Sequence, residues 1–259
     1  MNDTASGLPV LHVHDACATL TLNRPAHHNR LQVEDLQALG QHFETLAQRN
    51  DVQVLVLTGT GASFCSGFDI GAIDEGPAST SAGPRLFEQT VDALEALPLP
   101  TVCRLNGGVY GGATDLALAC DFRVGVAGMS LRMPAVRLGL HYYPSGLRRY
   151  VSRLGLGAAK RLFMLAESVP AAELLRMGYL DVLASAERLD DEVQSLVDAL
   201  RAGAPLALRG MKASLNEVAR GEADLATLRD RESRCAASED LREGKAAFAE
   251  KRPPKFRGR

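Results

Sequence analysis

Residues 104–124, RLNGGVYGGATDLALACDFRV, decide the fold. The stretch begins with apolar residues, passes through four glycines and continues as an apolar, helix-like run with one acid, Asp115. Glycines before a helix let the backbone approach a ligand closely and leave free N–H groups pointing outward. Such a turn suits an anion or an oxygen that becomes negative during a reaction. A tight strand-to-helix turn without any ligand has the same pattern.

Two segments of the chain lead into glycine-containing loops. Residues 53–58 and 101–105 are short apolar runs, which predict buried strands. In α/β proteins the ligand binds where such strands end, so we expect the two loops to face each other there. Gly59, Thr60 and Gly61 do not open a dinucleotide fingerprint, because Phe64 stands where the third glycine is needed.

The rest of the chain alternates strand and helix patterns and then becomes mostly helical. A hairpin is predicted over 10–23, and further strands over 121–126, 130–132 and 179–183. Helices are predicted over 33–46, 85–96, 146–154, 157–166, 171–177, 187–202, 208–220 and 224–237. The small, polar residues 71–84 predict a mobile loop. An α/β fold follows from this order.

Composition narrows the function classes. The 259 residues, 46% of them hydrophobic, suffice for one large domain or for a core with an appendage. With 5% aromatic residues, no Trp and a net charge of −2, neither nucleic acid nor anionic lipid is an expected partner. Five cysteines without a CxxC pair predict free thiols. The N-terminus has no signal-peptide pattern and no apolar run is long enough for a membrane span, so we expect a cytoplasmic protein.

Five motifs, in order, resemble the crotonase (enoyl-CoA hydratase/isomerase) superfamily over almost the whole chain. They are NRP at 23–25, FCSGFDI at 64–70, NGGVYGGATDLALACD at 106–121, MPAVRLGL at 133–140 and EDLREGKAAFAEKRPPKF at 239–256. The resemblance implies a crotonase-like fold of repeated ββα units with a C-terminal helical trimerisation region. It implies an acyl-CoA-binding core over 1–195, a helical region over 196–259, and a homotrimer or hexamer. No separate cofactor is implied, since coenzyme A is part of the substrate.

The resemblance also assigns roles to individual residues. The backbone N–H groups of Phe68 and Gly112 are expected to hold the thioester oxygen as it becomes an enolate. Asp115 stands where hydratases of the family carry a catalytic Glu, and Tyr142 lies in a turn where some members place chemistry. Its neighbours His141 and Tyr143 are alternatives to Tyr142.

Ala135 is a departure from the family pattern, because it occupies the position of the second catalytic Glu. A methyl group cannot deliver a proton, which puts ordinary hydratase and single-Glu isomerase activity in doubt. The remaining substrate-binding positions that the resemblance implies are Ala26, His28, Ser66, Asp69, Ile70, Gly111, Ala135, Phe248 and Lys251. Phe248 and Lys251 are expected to flank the adenine and phosphate in a neighbouring subunit.

Other polar residues have plainer interpretations. His27 and His28 are adjacent, which is poor geometry for one metal ion, so we expect them to be solvated or to face coenzyme A and expect no metal. The spacing of four arginines, namely Arg148, Arg149, Arg153 and Arg161, predicts a solvated helix face.

Three functions remain open from the sequence. The first is an acyl-CoA enzyme that works through an enolate. The second is decarboxylation of the methylmalonyl-CoA type, because that enzyme resembles this chain in having Ala at the second-Glu position and Tyr in the turn. Its oxyanion donor carries a His side chain, however, whereas this chain has Phe68. The third is a non-catalytic homologue that binds a CoA ester or RNA.

Overall fold

The computed structural model describes residues 7–69, 71 and 82–259. In these residues the chain forms ten strands and nine α-helices. The strands are β1 (Val10–His14), β2 (Cys17–Leu22), β3 (Val54–Gly59), β4 (Ser63–Cys65), β5 (Thr101–Leu105), β6 (Gly108–Tyr110), β7 (Phe122–Val126), β8 (Ser130–Arg132), β9 (Val169–Pro170) and β10 (Val182–Ala184). The helices are α1 (Val33–Gln48), α2 (Ala82–Glu95), α3 (Ala113–Ala119), α4 (Pro144–Lys160), α5 (Ala171–Arg176), α6 (Leu189–Arg201), α7 (Pro205–Arg220), α8 (Leu225–Ala237) and α9 (Glu239–Glu250).

The strands form two sheets. The larger has the order β1-β2-β3-β5-β7-β10, and only its first pair is antiparallel. The smaller has the order β4-β6-β8-β9, with an antiparallel last pair. The α/β class and the hairpin expected from the sequence are confirmed. Most of the loop predicted over 71–84 lies outside the described residues.

The core follows from the apolar patterns. Every residue of β3, VLVLTG, is buried, as a central strand of a parallel sheet requires. In α1 the residues Leu36, Leu39, Phe43 and Leu46 recur every three to four positions and are all buried. The parallel pair β3–β5 aligns Leu55 with Thr101, so both strands end on the same side. The loops that follow them are thereby brought to one edge.

The C-terminal helices pack differently from the rest. Neither α7 nor α8 contains a buried residue. Their exposed apolar side chains include Met211, Leu215, Val218 and Leu225. The predicted division at 195/196 falls inside α6, and the two-part organisation stays a prediction.

Within the described residues, no helix is both long and apolar enough to cross a membrane. The cytoplasmic location stays a prediction. All five cysteines are free thiols, and Cys65, Cys103 and Cys120 are buried, as the sequence predicts.

Candidate active site

The NRP motif and the residues that follow it, 23–29, hold the start of the loop after β4 in place. The motif runs into a short 3₁₀ helix, Pro25–His27, and then into two left-handed residues, His28 and Asn29, with φ of 51° and 53°. The buried Asn29 amide donates to the carbonyls of Ser63 and Phe64, at 2.9 and 3.0 Å. These bonds fix where the chain after β4 begins.

Two glycine-bearing turns lie directly against each other. A Cβ on Gly67, which has φ of 95°, would lie 2.7 Å from the Tyr110 carbonyl oxygen and 3.1 Å from the Gly112 nitrogen. Only glycine permits both this φ and this approach. The expectation that the two loops face each other is therefore confirmed.

The amides of Phe68 and Gly112 are available on these turns. Around Phe68, the Leu31 N–H donates to the Gly67 carbonyl, and the Asp69 N–H donates to the Leu31 carbonyl. The Phe68 and Gly112 N–H groups themselves donate to no acceptor within the described part of the chain. Buried or half-buried amides are normally paired, so two amides without an acceptor on adjoining turns are the groups from which an oxyanion site can be built.

Asp115 lies in the first turn of α3 and is completely buried. Its Oδ2 accepts a hydrogen bond from the Tyr143 hydroxyl and another from Arg149 Nη1, both at 2.5 Å. Its Oδ1 is buried and has no hydrogen-bond partner among the described residues. Burial raises the pKa of the Asp115 carboxyl, while Arg149 and Tyr143 act in the opposite direction.

Tyr142 and Tyr143 form a stacked pair next to Asp115. Their ring centroids are 4.3 Å apart, and the Tyr142 hydroxyl donates to the Tyr143 oxygen at 3.3 Å. Burial, followed by the charge of Asp115, raises the pKa of both phenols well above 10. Both tyrosines are therefore neutral at pH 7. His141 is exposed, and its Nδ1 contacts the Tyr142 carbonyl at 2.9 Å.

Gly146 makes this convergence possible. A Cβ there would lie 2.4 Å from Tyr142 Cε1, 2.8 Å from Tyr143 Cε2 and 2.9 Å from Asp115 Oδ2. All three distances are shorter than a real Cβ contact allows. The start of α4 thus closes over the tyrosines only because it carries no side chain at this point.

The prediction of a solvated arginine face is wrong for two of its four members. Arg149 is 1% exposed and bonds to Asp92, Glu95 and Asp115. Arg153 is mostly buried and donates to Glu95 and to the carbonyls of Leu118 and Cys120. The reason is that α4 packs against α2 and α3, whose acids pair with these arginines; spacing within α4 does not show this. Arg148 and Arg161 are partly exposed, at 36% and 40% of the side chain.

A row of aromatic rings joins the amides to the phenols. Phe87, from α2, lies 6.0 Å from Phe68 and 6.0 Å from Tyr143 between ring centroids. Its Cζ would lie 2.7 Å from a Cβ on Gly112. Phe87, Gly146 and Arg149 were not singled out from the sequence as parts of this site. The acidic pair Asp92 and Glu95 on α2, three residues apart on one helix face, was the available signal for a buried cation.

The other predicted positions divide into two groups. Near the turns, Ser66 donates its N–H to the His28 carbonyl, His28 Nδ1 contacts Ser63 Oγ at 3.0 Å, and Asp69 pairs with Arg30 at 3.4 Å. Ala26 is exposed beside them, and Gly111 donates to the Arg132 carbonyl. Ala135 is buried in the same core cluster as Phe68 and both tyrosines.

Phe248 and Lys251 lie on the last helix and at its end. Phe248 is 88% exposed, and Lys251 is exposed and left-handed, with φ of 53°. Ile70 lies outside the described residues. Among the residues that are described, no group of three or more His, Cys, Asp or Glu could hold a metal ion.

An α/β fold with two glycine turns in contact, each carrying an amide without an acceptor, is the class of structure that these residues define. The model of the enoyl-CoA hydratase/isomerase family matches residues 12–259. The 2,3-dehydroadipyl-CoA hydratase of Escherichia coli is 33% identical in an alignment of 249 residues that covers 93% of this chain and 94% of that protein. The crotonyl-CoA hydratase of Syntrophomonas wolfei is 30% identical in an alignment of 251 residues that covers 95% of this chain and 96% of that protein.

Solved structures show the same fold. An enoyl-CoA hydratase/carnithine racemase from Magnetospirillum magneticum superposes with a TM-score of 0.92 at 26% identity, covering 98% of this chain and 96% of that one. The chain belongs to the enoyl-CoA hydratase/isomerase family, and the crotonase resemblance inferred from the motifs is confirmed.

Proposed function

We propose that this enoyl-CoA hydratase/isomerase family member processes acyl-CoA thioesters through an enolate, whose oxygen is held by the N–H groups of Phe68 and Gly112. The observation that carries the proposal is the contact between the two turns together with the absence of any other acceptor for these amides among the described residues. Each such donor typically contributes about 3 kcal/mol to transition-state stabilisation.

Ala135 decides against efficient hydration in this proposal. Adding water across a double bond needs one group to take a proton from water and another to give one to the α-carbon. General acid–base help is worth about 10²–10⁴-fold, and Ala135 is buried with no titratable side chain. The crotonyl-CoA and 2,3-dehydroadipyl-CoA relatives are hydratases by name, but we expect this chain to hydrate such esters slowly.

Decarboxylation is the second candidate, because two neutral phenols lie beside Asp115, in the turn where some members of the family place chemistry. In it, the Tyr142 hydroxyl turns from the Tyr143 oxygen and donates its hydrogen bond to the substrate carboxylate, while the Tyr143 hydroxyl still donates to Asp115. That carboxylate leaves as CO₂, and its bonding electron pair passes into the thioester to form the same enolate. The buried Phe87 and the partly buried Phe163 are aromatic neighbours that favour the loss of a charged carboxylate as an uncharged molecule.

In this proposal coenzyme A lies along residues 23–29 and along the turn that carries Gly67. Its contacts would come from Ala26, His28, Ser66, Asp69, Ile70 and Gly111. The proposed assembly is a homotrimer or a dimer of trimers, in which Phe248 and Lys251 of one subunit approach the adenine of the next. The 88% exposure of Phe248 supports this, since a large apolar side chain is normally covered.

The experiment is a comparison of esters in one assay. Crotonyl-CoA, a 3-enoyl-CoA and methylmalonyl-CoA are supplied separately, and α-hydrogen exchange of butyryl-CoA is followed in deuterium oxide. We expect exchange or decarboxylation to be faster than hydration. Rapid hydration of crotonyl-CoA would contradict the role given to Ala135, and no reaction with any ester would contradict the enolate proposal.

A further inference from the structure

Asp115 cannot touch a substrate in this structure. Its side chain is 0% exposed, its Oδ2 is occupied by Tyr143 and Arg149, and its partnerless Oδ1 has no accessible surface. A carboxylate in this place can take part in proton transfer only through the groups bonded to it. Of those two groups, Arg149 keeps its protons, because an arginine in such surroundings stays charged. The remaining route passes through Tyr143.

The direction of the hydrogen bonds follows from the chemistry of the groups. An ionised Asp115 only accepts, so the Tyr143 proton points to Oδ2. The Tyr143 oxygen is then free to accept, and the Tyr142 hydroxyl donates to it. The Tyr142 oxygen accepts no hydrogen bond from the described residues, so it is the open end of the chain.

Resting on the proposed enolate function, we propose that Asp115 is the base of this site without touching the substrate, through the relay Tyr142–Tyr143–Asp115, and that Arg149 is a positioning residue for Asp115. In enolate formation the α-carbon–hydrogen bond breaks and its electron pair passes to the thioester oxygen. The proton goes to the Tyr142 oxygen as the Tyr142 proton moves to Tyr143 and the Tyr143 proton moves to Asp115. The reverse sequence protonates the enolate.

Two features of the surroundings support this assignment. Burial raises the pKa of the Asp115 carboxyl, which makes it a stronger proton acceptor than an exposed Asp, although Arg149 and Tyr143 moderate the effect. Arg149 is held in turn by Asp92 at 2.6 Å and by Glu95 at 2.9 Å, so its guanidinium holds in place Asp115 Oδ2, the oxygen to which Tyr143 donates. Tyr142 is the catalytic residue of this relay, since only its oxygen would meet the substrate.

The test is a double-mutant cycle on butyryl-CoA exchange in deuterium oxide, with ester affinity measured separately by calorimetry. Tyr142→Phe and Asp115→Asn should each lower the exchange rate by about a hundredfold or more, leave Kd unchanged, and cause no further loss when combined. Multiplicative losses in the double variant, or normal exchange in Tyr142→Phe, would overturn the relay while the enolate proposal stands. If the wild-type protein exchanges no hydrogen at all, the relay fails, and the enolate proposal fails with it only if crotonyl-CoA, a 3-enoyl-CoA and methylmalonyl-CoA also do not react.

Arg149 is tested against a matched arginine of the same helix. Arg149→Lys should slow exchange without changing Kd, whereas Arg153→Lys should not, because Arg153 contacts Glu95 and two carbonyls but not Asp115. The hydroxyl proton of Tyr143, bonded to a carboxylate, gives a downfield NMR signal in the ester-free protein. The signal should vanish in Tyr143→Phe and shift in Arg149→Lys. Equal slowing by both lysine variants, or an unshifted signal, would overturn the positioning role.

Discussion

Gly146 is the single residue on which the geometry of the site depends most. It stands in the first turn of α4, where the two phenols and the Asp115 carboxylate all lie within 2.9 Å of the place a Cβ would occupy. Because two of these neighbours are rings packed among other aromatic side chains, they have little room to withdraw.

The prediction for Gly146→Ala is a loss of both stability and activity. Overpacking a core of this kind costs about 1–3 kcal/mol, and the displaced phenols should break the bond between Tyr143 and Asp115. Urea unfolding and butyryl-CoA exchange measure the two effects. Gly157→Ala is the control, since no atom lies within 4 Å of its Cβ position and alanine favours a helix. A Gly146→Ala protein as stable and active as the control would contradict this account.

For single residues, the sequence predicted which positions belong to the site better than it predicted which residues they contact. The motifs led to Phe68, Gly112, Asp115 and Tyr142, and the structure brings the turns of the first two together. The burial of Arg149 was not predictable from α4 alone, because its three carboxylates come from α2 and α3. Ion pairs between elements depend on packing that spacing within one helix does not reveal.

Among the elements, α2 and α4 are linked by ion pairs that centre on Glu95. Glu95, at the end of α2, accepts from Arg149 and Arg153, and Arg220 of α7 lies 3.9 Å away. Burial opposes ionisation, but the three arginines outweigh it and lower the pKa of Glu95 below its ordinary 4.5. The negative charge of Glu95 therefore stabilises the folded state.

Glu95→Gln should lower the free energy of unfolding at pH 7 by about 3 kcal/mol, because it leaves buried arginine charge without its partner. A lowered carboxyl pKa adds stability above the unfolded value and loses it as pH falls through the folded value. The difference between wild type and variant should thus be full above pH 4.5 and shrink below it. Urea unfolding across this pH range measures it.

Glu232→Gln serves as the matched control for this prediction. It removes a carboxylate whose pair with Arg229 is mostly exposed, so its effect should be near zero. If Glu95→Gln and Glu232→Gln have the same free energy of unfolding at every pH, the ion pairs of Glu95 do not stabilise the folded state as proposed.

The elements themselves were largely predictable. Strand β5 begins and ends at the predicted residues, and the break predicted between 154 and 157 corresponds to Gly155, which is non-helical at φ 79° within α4. The last predicted strand, 179–183, is present but begins three residues later, at Val182, and Tyr179 and Leu180 are buried ahead of it. Apolar runs identify burial more securely than they identify strands.

For the whole molecule, the uncovered apolar side chains of α7 are the feature that bears on the proposed assembly. Met211, Leu215 and Val218 recur at helical spacing on one face and are 64%, 68% and 58% exposed in the single chain. An apolar stripe of this kind on a helix without any buried residue is normally covered by another chain.

Leu215→Glu should shift the protein from the proposed trimer or hexamer towards monomer, because it places a charge in the centre of the stripe. Sedimentation velocity measures the change. Leu8→Glu, at a 48% exposed leucine near the start of the chain, is the control and should not alter the assembly. A wild-type protein that sediments as a monomer would contradict the proposed assembly.

The central claim is tested most directly by the thioester carbonyl itself. The infrared stretching frequency of the carbonyl of bound butyryl-CoA should lie below that of the free ester in the wild type, because two N–H groups polarise it. Gly112→Ala and Gly112→Pro both place a Cβ against Phe87, but only Gly112→Pro also removes the N–H, so the proline variant should move the frequency further back towards the free ester than the alanine variant does. A bound carbonyl with the frequency of the free ester in the wild type, or no difference between the two variants, would contradict the account.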